Sequence, residues 1–177
     1  MKIVFKNFIF LNDMEIKEIL NLRNLDYVRK NMINDEVISL ENHKNFIASL
    51  KNQNFKKYFV LFVDDKIVGS LNFVKNDSLT WGLYFKDEIN PIIKACATFL
   101  FLDYIFSFFE DDINSFVKKS NKNALSFNKN FGFEVFKEDS EFFYLKLSKK
   151  AWQEQKNLKL LKPIKKYLDK IEHNFID

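Results

Sequence analysis

Residues 57–85 constrain this chain more than any other stretch. Lys57 to Val63 reads KYFVLFV, Lys66 to Phe73 reads KIVGSLNF, and Ser78 to Phe85 reads SLTWGLYF. Each run is short and rich in aromatic and β-branched residues, as strands are. Two tight polar turns, Asp64-Asp65 and Asn76-Asp77, separate them. Runs this short, joined by turns this tight, pair antiparallel. A three-stranded meander is expected at the centre of the fold.

The flanks add the other layers. Ile3 to Leu11 reads as a first strand. Asn12-Asp13 offers a cap for a helix carrying Met14, Ile16, Ile19, Leu20 and Leu22. Leu25 to Val37 is mixed. Ser39 caps a second helix with His43, Phe46, Ile47 and Leu50 on one face. After the meander, Pro91 opens a long apolar helix over about 92–109, and Ile113 to Val117 is a strand. Lys122 to Asn130 is a short helix stopped by Gly132, and Phe133 to Phe136 with Glu141 to Leu147 forms a closing hairpin. The order predicts an α/β domain with a mixed, mostly antiparallel sheet over 1–148. Residues 149–177 read as a basic helical extension. It has one helical segment from Trp152 to Leu161 and another begun at Pro163, with Ile164, Leu168, Ile171 and Phe175 on one face.

Composition narrows the function classes. Eight lysines in 149–170 stand against Glu154 and Asp169, giving +6. Glu172 and Asp177 then leave 1–148 neutral within the total of +4. A uniformly basic nucleic-acid-binding domain is disfavoured. The lysine tail reads as a solvated face docked on the body, with an anionic lipid surface or a nucleotide as the functional alternatives. The single cysteine, Cys96, cannot form an intrachain disulfide, which favours a reducing, cytoplasmic setting. Ala95 to Phe109, interrupted by Asp103, is short for a membrane span, and Met1 to Lys6 lacks a signal-peptide continuation. Two histidines and an Asp111-Asp112 pair give no metal-ligand spacing.

Three segments carry a family resemblance. The first is Leu22-Arg23-Asn24 followed by Glu41-Asn42-His43-Lys44-Asn45-Phe46-Ile47. The second joins Lys57-Tyr58-Phe59-Val60-Leu61, Val68-Gly69-Ser70-Leu71-Asn72-Phe73 and Trp81-Gly82-Leu83-Tyr84. The third runs from Asn121-Lys122-Asn123-Ala124-Leu125 to Asn130-Phe131-Gly132-Phe133. In order and spacing, over about 1–147, the chain resembles the GNAT N-acyltransferases. It looks most like the nucleotide-sugar N-acetyltransferases of pseudaminic acid synthesis, which serve flagellin glycosylation.

The resemblance implies acetyl-CoA as co-substrate, no metal, and the amine of a nucleotide-linked amino sugar as acceptor, of the UDP-4-amino-4,6-dideoxy-N-acetyl-altrosamine type. It implies two neighbouring strands that splay to admit pantetheine, with backbone groups near Leu83 and Phe85 pairing with its amides. Lys94, Ala95, Cys96, Ala97 and Asn121 fall at the remaining cofactor-contact positions. Arg23, Asn24, His43, Phe46, Trp81 and Tyr84 fall on the acceptor side, and Tyr84 and Asn128 at the chemistry.

The pattern also has departures. The pyrophosphate word Q/R-x-x-G-x-G/A is matched by a glycine-free Asn90-Pro91-Ile92-Ile93-Lys94-Ala95-Cys96-Ala97. The family's tyrosine acid falls on Asn128, and Asn114-Ser115-Phe116-Val117 lacks the family's strand carboxylate. Several residues keep a plainer reading: Arg23 and Asn121 as helix caps, His43, Trp81 and Tyr84 as packing, Cys96 as a buried small residue. A non-catalytic binding module of the same fold, or an acetyltransferase for another amine such as a protein N-terminus, remains the alternative. Homodimerisation is left open.

Overall fold

A computed structural model describes residues 1–157 and 162–177. The expected meander is present as β2 (Lys56–Val63), β3 (Lys66–Lys75) and β4 (Leu79–Phe85). The turn between β2 and β3 places Asp64 at φ 45° and Asp65 at φ 63°. These are the left-handed angles a two-residue hairpin needs, and aspartate tolerates them better than most side chains. β1 (Lys2–Asn7) pairs antiparallel with β2. It ends earlier than its hydrophobic pattern suggests, because the Asn7 side chain caps a 3₁₀ turn at Phe8–Phe10.

α1 (Asp13–Asn24) begins in a full capping box between Asn12 and Glu15. α2 (Asp26–Arg29) is a single short turn within the mixed segment. α3 (Leu40–Ser49) is capped by Ser39. α4 (Pro91–Phe108) leads to β5 (Ile113–Lys118), then α5 (Lys122–Asn130), β6 (Glu134–Glu138) and β7 (Phe142–Leu147). Gly132, at φ 92°, supplies the left-handed residue that releases the chain from α5.

The sheet has eight strands in the order β6-β7-β5-β4-β3-β2-β1-β8, where β8 is Glu172–Ile176, with helices on both faces. One face packs on α4, whose Cys96, Ala97, Thr98, Phe101, Leu102 and Ile105 are wholly buried among Phe5, Phe59, Leu71 and Phe73. The other face carries α1 and α3 over Phe8, Val60 and Ile67. α4 is the one described helix long and apolar enough to cross a membrane. Here its apolar residues form the centre of the core.

The extension differs from its sequence reading. α6 (Lys149–Gln155) and α7 (Lys162–Leu168) are helical, while residues 158–161, which fell in the expected Trp152–Leu161 helix, lie outside the described residues. Ile171 and Phe175 do not continue α7. Glu172–Ile176 is a strand, β8, parallel to β1 in the register Lys2↔Glu172 to Lys6↔Ile176. The reason lies in packing. The Phe175 ring stacks between Phe5, at 4.2 Å, and Tyr104, at 4.1 Å. Asp177 then accepts from Asn7, Lys57 and Tyr104. Trp152 is also fully buried in the main core, where its Nε1 donates to Asp103 at 2.7 Å.

Candidate active site

β4 and β5 run parallel but pair only at Leu79↔Ile113 and Thr80↔Asn114. Asn114 Nδ2 donates to the Leu79 carbonyl at 3.3 Å and closes the root. Beyond Thr80 the strands diverge and leave a wedge. The register decides which backbone groups face it. Lys86 N–H donates to the Val68 carbonyl at 2.8 Å, and Tyr84↔Ser70 and Gly82↔Asn72 lie two and four residues back. Antiparallel pairing alternates between residues aimed at the partner and residues aimed away. Trp81, Leu83 and Phe85 therefore turn their N–H and C=O groups into the wedge. Gly69, opposite Phe85, keeps β3 close there: a Cβ would sit 2.5 Å from the Tyr84 carbonyl oxygen.

The start of α4 borders the wedge from the β4 side, and here a sequence reading needs correction. Lys94 to Ala97 do not offer free amides. Lys94 N–H donates to the Asn90 carbonyl at 3.1 Å, and Ala95, Cys96 and Ala97 lie inside the helical ladder. Ile92 N–H goes to the Asn90 side chain at 2.8 Å, and Pro91 has no N–H. Ile93 N–H is the one first-turn amide left. Ile92 is exposed and Ile93 packs on the core. The Lys94 ammonium stands 5.4 Å from the centre of the Phe85 ring. Cys96 is fully buried, and burial pushes its thiol up to about 11, so it is an inert packing residue.

On the opposite face of β4, Tyr84 joins Arg23, His43, Tyr58 and Phe46. The Phe46 ring meets Tyr58 edge-on at 4.9 Å, and Phe8 meets His43 at 5.9 Å. Burial raises the Tyr84 phenol well above its usual range, against opposing pulls from the Ser70 hydroxyl and the Arg23 charge. Burial, then the Arg23 charge, lowers the His43 imidazole, which is therefore neutral at physiological pH. Arg23 Nη1 and His43 Nε2 are both buried without a hydrogen-bond partner. Such orphaned buried polar atoms are rare and mark a place where a polar partner can be received.

Other expected residues hold different posts. Both polar atoms of Asn24 engage the Ile38 backbone, at 2.8 and 2.9 Å, so it braces the loop and does not face the acceptor chamber. Trp81 points to the α4 face, away from Tyr84, and stacks on Phe133. Asn121 accepts from Ala124 N–H at 3.0 Å and is the cap of α5. Asn128 Nδ2 donates to the Ala124 carbonyl at 2.8 Å, while its Oδ1 is buried without a partner.

Three parts of the site were missed in the sequence. Tyr58 and Ser70 complete the chamber, and Ser70 could have been found by counting register from the Asn76-Asp77 turn. The third is the cover over the wedge mouth. The chain's two arginines both hold the segment after α1: Arg23 donates to the Asn34 carbonyl at 2.8 Å and Arg29 to the Asp35 carbonyl at 2.9 Å. Within that segment, α2 touches both arms. Tyr27 stands against Asp87 and Glu88 beyond β4, and Lys118 at the end of β5 donates to the Lys30 carbonyl at 2.7 Å. Among the described residues, no three His, Cys, Asp or Glu side chains gather as a metal site requires.

No family model matches the chain. The acetyltransferase PseH of Campylobacter jejuni strain 81-176 is 32% identical over 149 residues, which cover 81% of this chain and 92% of that protein. The chain belongs to the PseH acetyltransferases. PseH of C. jejuni strain NCTC 11168 is 33% identical over 146 residues. The crystal structure of C. jejuni PseH in complex with acetyl coenzyme A matches with a TM-score of 0.66 at 29% identity, over 83% of this chain and 99% of that one. FdhC, a nucleotide-linked sugar GNAT, shares the fold, with a TM-score of 0.69 at 20% identity over 82% and 88% of the two chains. The GNAT fold expected from the order of elements is the fold present, and the chain is an acetyl-CoA-dependent N-acetyltransferase of the PseH family.

Proposed function

We propose that this PseH-family protein transfers an acetyl group from acetyl-CoA to the amine of a nucleotide-linked amino sugar, of the 4-amino-4,6-dideoxy type named by the resemblance. One observation carries the reading. The free backbone edge of β4 and the orphaned Arg23–His43 pair beside Tyr84 lie on the two sides of one strand. A thioester arm along that edge would meet an acceptor held on the chamber side.

Acetyl-CoA supplies the thioester whose carbonyl the amine attacks. The wedge-facing N–H groups of Leu83 and Phe85 would pair with the pantetheine amides and polarise the attacked carbonyl. Arg23, His43 and Phe46 would hold the nucleotide sugar. Tyr84 stays protonated at every physiological pH, so it would act as a hydrogen-bond donor near the leaving sulfur and not as a base. Asn128 carries no acidic proton. Its free Oδ1 would accept from the thiol once the sulfur has been protonated, and its amide would leave the acid role to Tyr84 or water. Acetyl-CoA as donor suits a cytoplasmic enzyme.

A free-thiol assay with acetyl-CoA and a panel of nucleotide-linked amino sugars tests the reading. Thiol release with a 4-amino sugar nucleotide, and an acetylated product by mass, supports it. Binding of acetyl-CoA without turnover on any member of the panel would move the acceptor to another amine, such as a protein N-terminus.

A further inference from the structure

The two ends of the donor site are built unequally. The wedge edge of β4 keeps its backbone groups free at Leu83 and Phe85, where an extended amide-bearing arm would lie. The end meant for a pyrophosphate offers a single amide. Asn90 takes the amides of Ile92 and Lys94, Pro91 has none, Ala95 to Ala97 serve the helix itself, and the Ile93 N–H alone is left in the first turn. Every position from 90 to 97 carries a side chain, so no glycine lets a diphosphate lie against the backbone. One cation remains there, Lys94, whose ammonium sits at the end of β4 over Phe85. A lysine is a compact point charge without the bidentate fork of an arginine, so with the Ile93 N–H it supplies about what one phosphate needs.

We infer that donor recognition by this chain ends at phosphopantetheine: the acetyl thioester of phosphopantetheine is the recognised unit, and the adenosine bisphosphate half of coenzyme A adds no specific contact. The inference rests on the acetyltransferase reading and deepens it. The reaction is unchanged by what lies beyond the phosphate. The amine nitrogen forms the bond to the acetyl carbon and the carbon–sulfur bond breaks. The sulfur keeps the electron pair and takes up the proton that the amine loses. Two sources present this chemistry: coenzyme A itself, and the serine-linked phosphopantetheine of an acyl carrier protein.

Calorimetric titration of the full-length protein tests the inference without any acceptor. The ligands are coenzyme A, free phosphopantetheine, a phosphopantetheine-bearing acyl carrier protein, and the adenosine bisphosphate half alone. Phosphopantetheine should bind within about tenfold of coenzyme A, and the adenosine half should not compete. Lys94→Met should weaken coenzyme A and phosphopantetheine together and leave unphosphorylated pantetheine unchanged. Competition by the adenosine half, a phosphopantetheine affinity more than about tenfold below that of coenzyme A, or a Lys94→Met loss confined to coenzyme A overturns it. In those cases the acetyltransferase reading still stands. If no pantetheine form binds, both fall. Binding of the carrier-borne form assigns carrier protein as a donor source, and binding of the free forms alone assigns coenzyme A; either keeps the inference.

Discussion

The indole of Trp81 lies 4.9 Å from the ring of Phe133 and 11° from parallel to it. Trp81 follows the last β4 residue that pairs with β5, and Phe133 leads into β6, so this stack joins the two halves of the sheet just where their hydrogen bonding stops. Phe133 is itself fixed to the end of α5, because its N–H donates to the Asn128 carbonyl at 3.3 Å. The strand divergence is thus held at a set width by aromatic contact in place of a ladder.

Trp81→Ala should therefore act on both stability and donor binding. Emptying a buried tryptophan site costs about 3–5 kcal/mol, and the aromatic pair adds its own share. Chemical denaturation should register that loss, and the KM for acetyl-CoA should rise in the surviving folded fraction. Trp81→Phe should restore most of both. An unchanged KM in a destabilised Trp81→Ala enzyme would separate the stack from wedge geometry.

Tyr84→Phe keeps the ring and removes the hydroxyl. Under the proposed chemistry kcat should fall by about 10- to 100-fold with little change in the KM for acetyl-CoA. Burial holds the phenol above its ordinary pKa, so its proton stays on as pH rises through 9. The wild-type rate should consequently show no alkaline limb from this group below pH ~10, and the Tyr84→Phe profile should have the same shape.

His43 gives the fold an acid weakness. Its pKa is lowered in the folded state, by burial first and then by the Arg23 charge. The unfolded chain thus binds the proton more readily. The stabilising contribution is complete above the ordinary value near 6.5 and is lost as pH falls from there through the depressed folded value. Melting temperatures taken from pH 7.5 down to pH 5 should fall, and His43→Gln should flatten that decline. An equal slope in the variant would place the acid sensitivity elsewhere.

Phe175 anchors β8 between two aromatic rings, and Asp177 follows with three donors around one carboxylate. Burial alone would raise that carboxyl, but the Lys57 and Tyr104 hydrogen bonds outweigh it and hold it below its usual range. Phe175→Ala should cost about 2–4 kcal/mol in denaturant unfolding. Removing 171–177 should bare the β1 edge, and sedimentation should then show concentration-dependent self-association.

The legible parts of this molecule are those with local signals. The meander could be read because Asp64-Asp65 and Asn76-Asp77 fix both turns. Its register then assigns Leu83 and Phe85 to the wedge by counting alone. Helix starts were readable at Asn12, Ser39 and Pro91 for the same reason. β8 was not. Phe175 follows Ile164, Leu168 and Ile171 at a spacing that also fits a helix, and a parallel strand paired with residues near position 2 leaves no mark in its own neighbourhood. The site divides in the same way. The resemblance put Asn24 and Asn121 among the ligand contacts, yet each engages the backbone: the cap at Asn121 could be read from its place before a helix, the Asn24 brace on Ile38 only from the fold. Asn90 is the converse. Asn-Pro reads as a helix start, and the consequence, that the cap itself uses up the amides, follows only once the helix boundary is known.

The pairing of β1 with β8 brings Asn7 against Asp177, 170 positions further along the chain. During synthesis the first strand leaves the ribosome before its partner and must wait, with one side of its backbone open, until residues 172–176 emerge. The enzyme can thus collapse much of its core as it is made but cannot seal this edge of its sheet until β8 is out. Chaperone capture of nascent chains is most to be looked for in that interval.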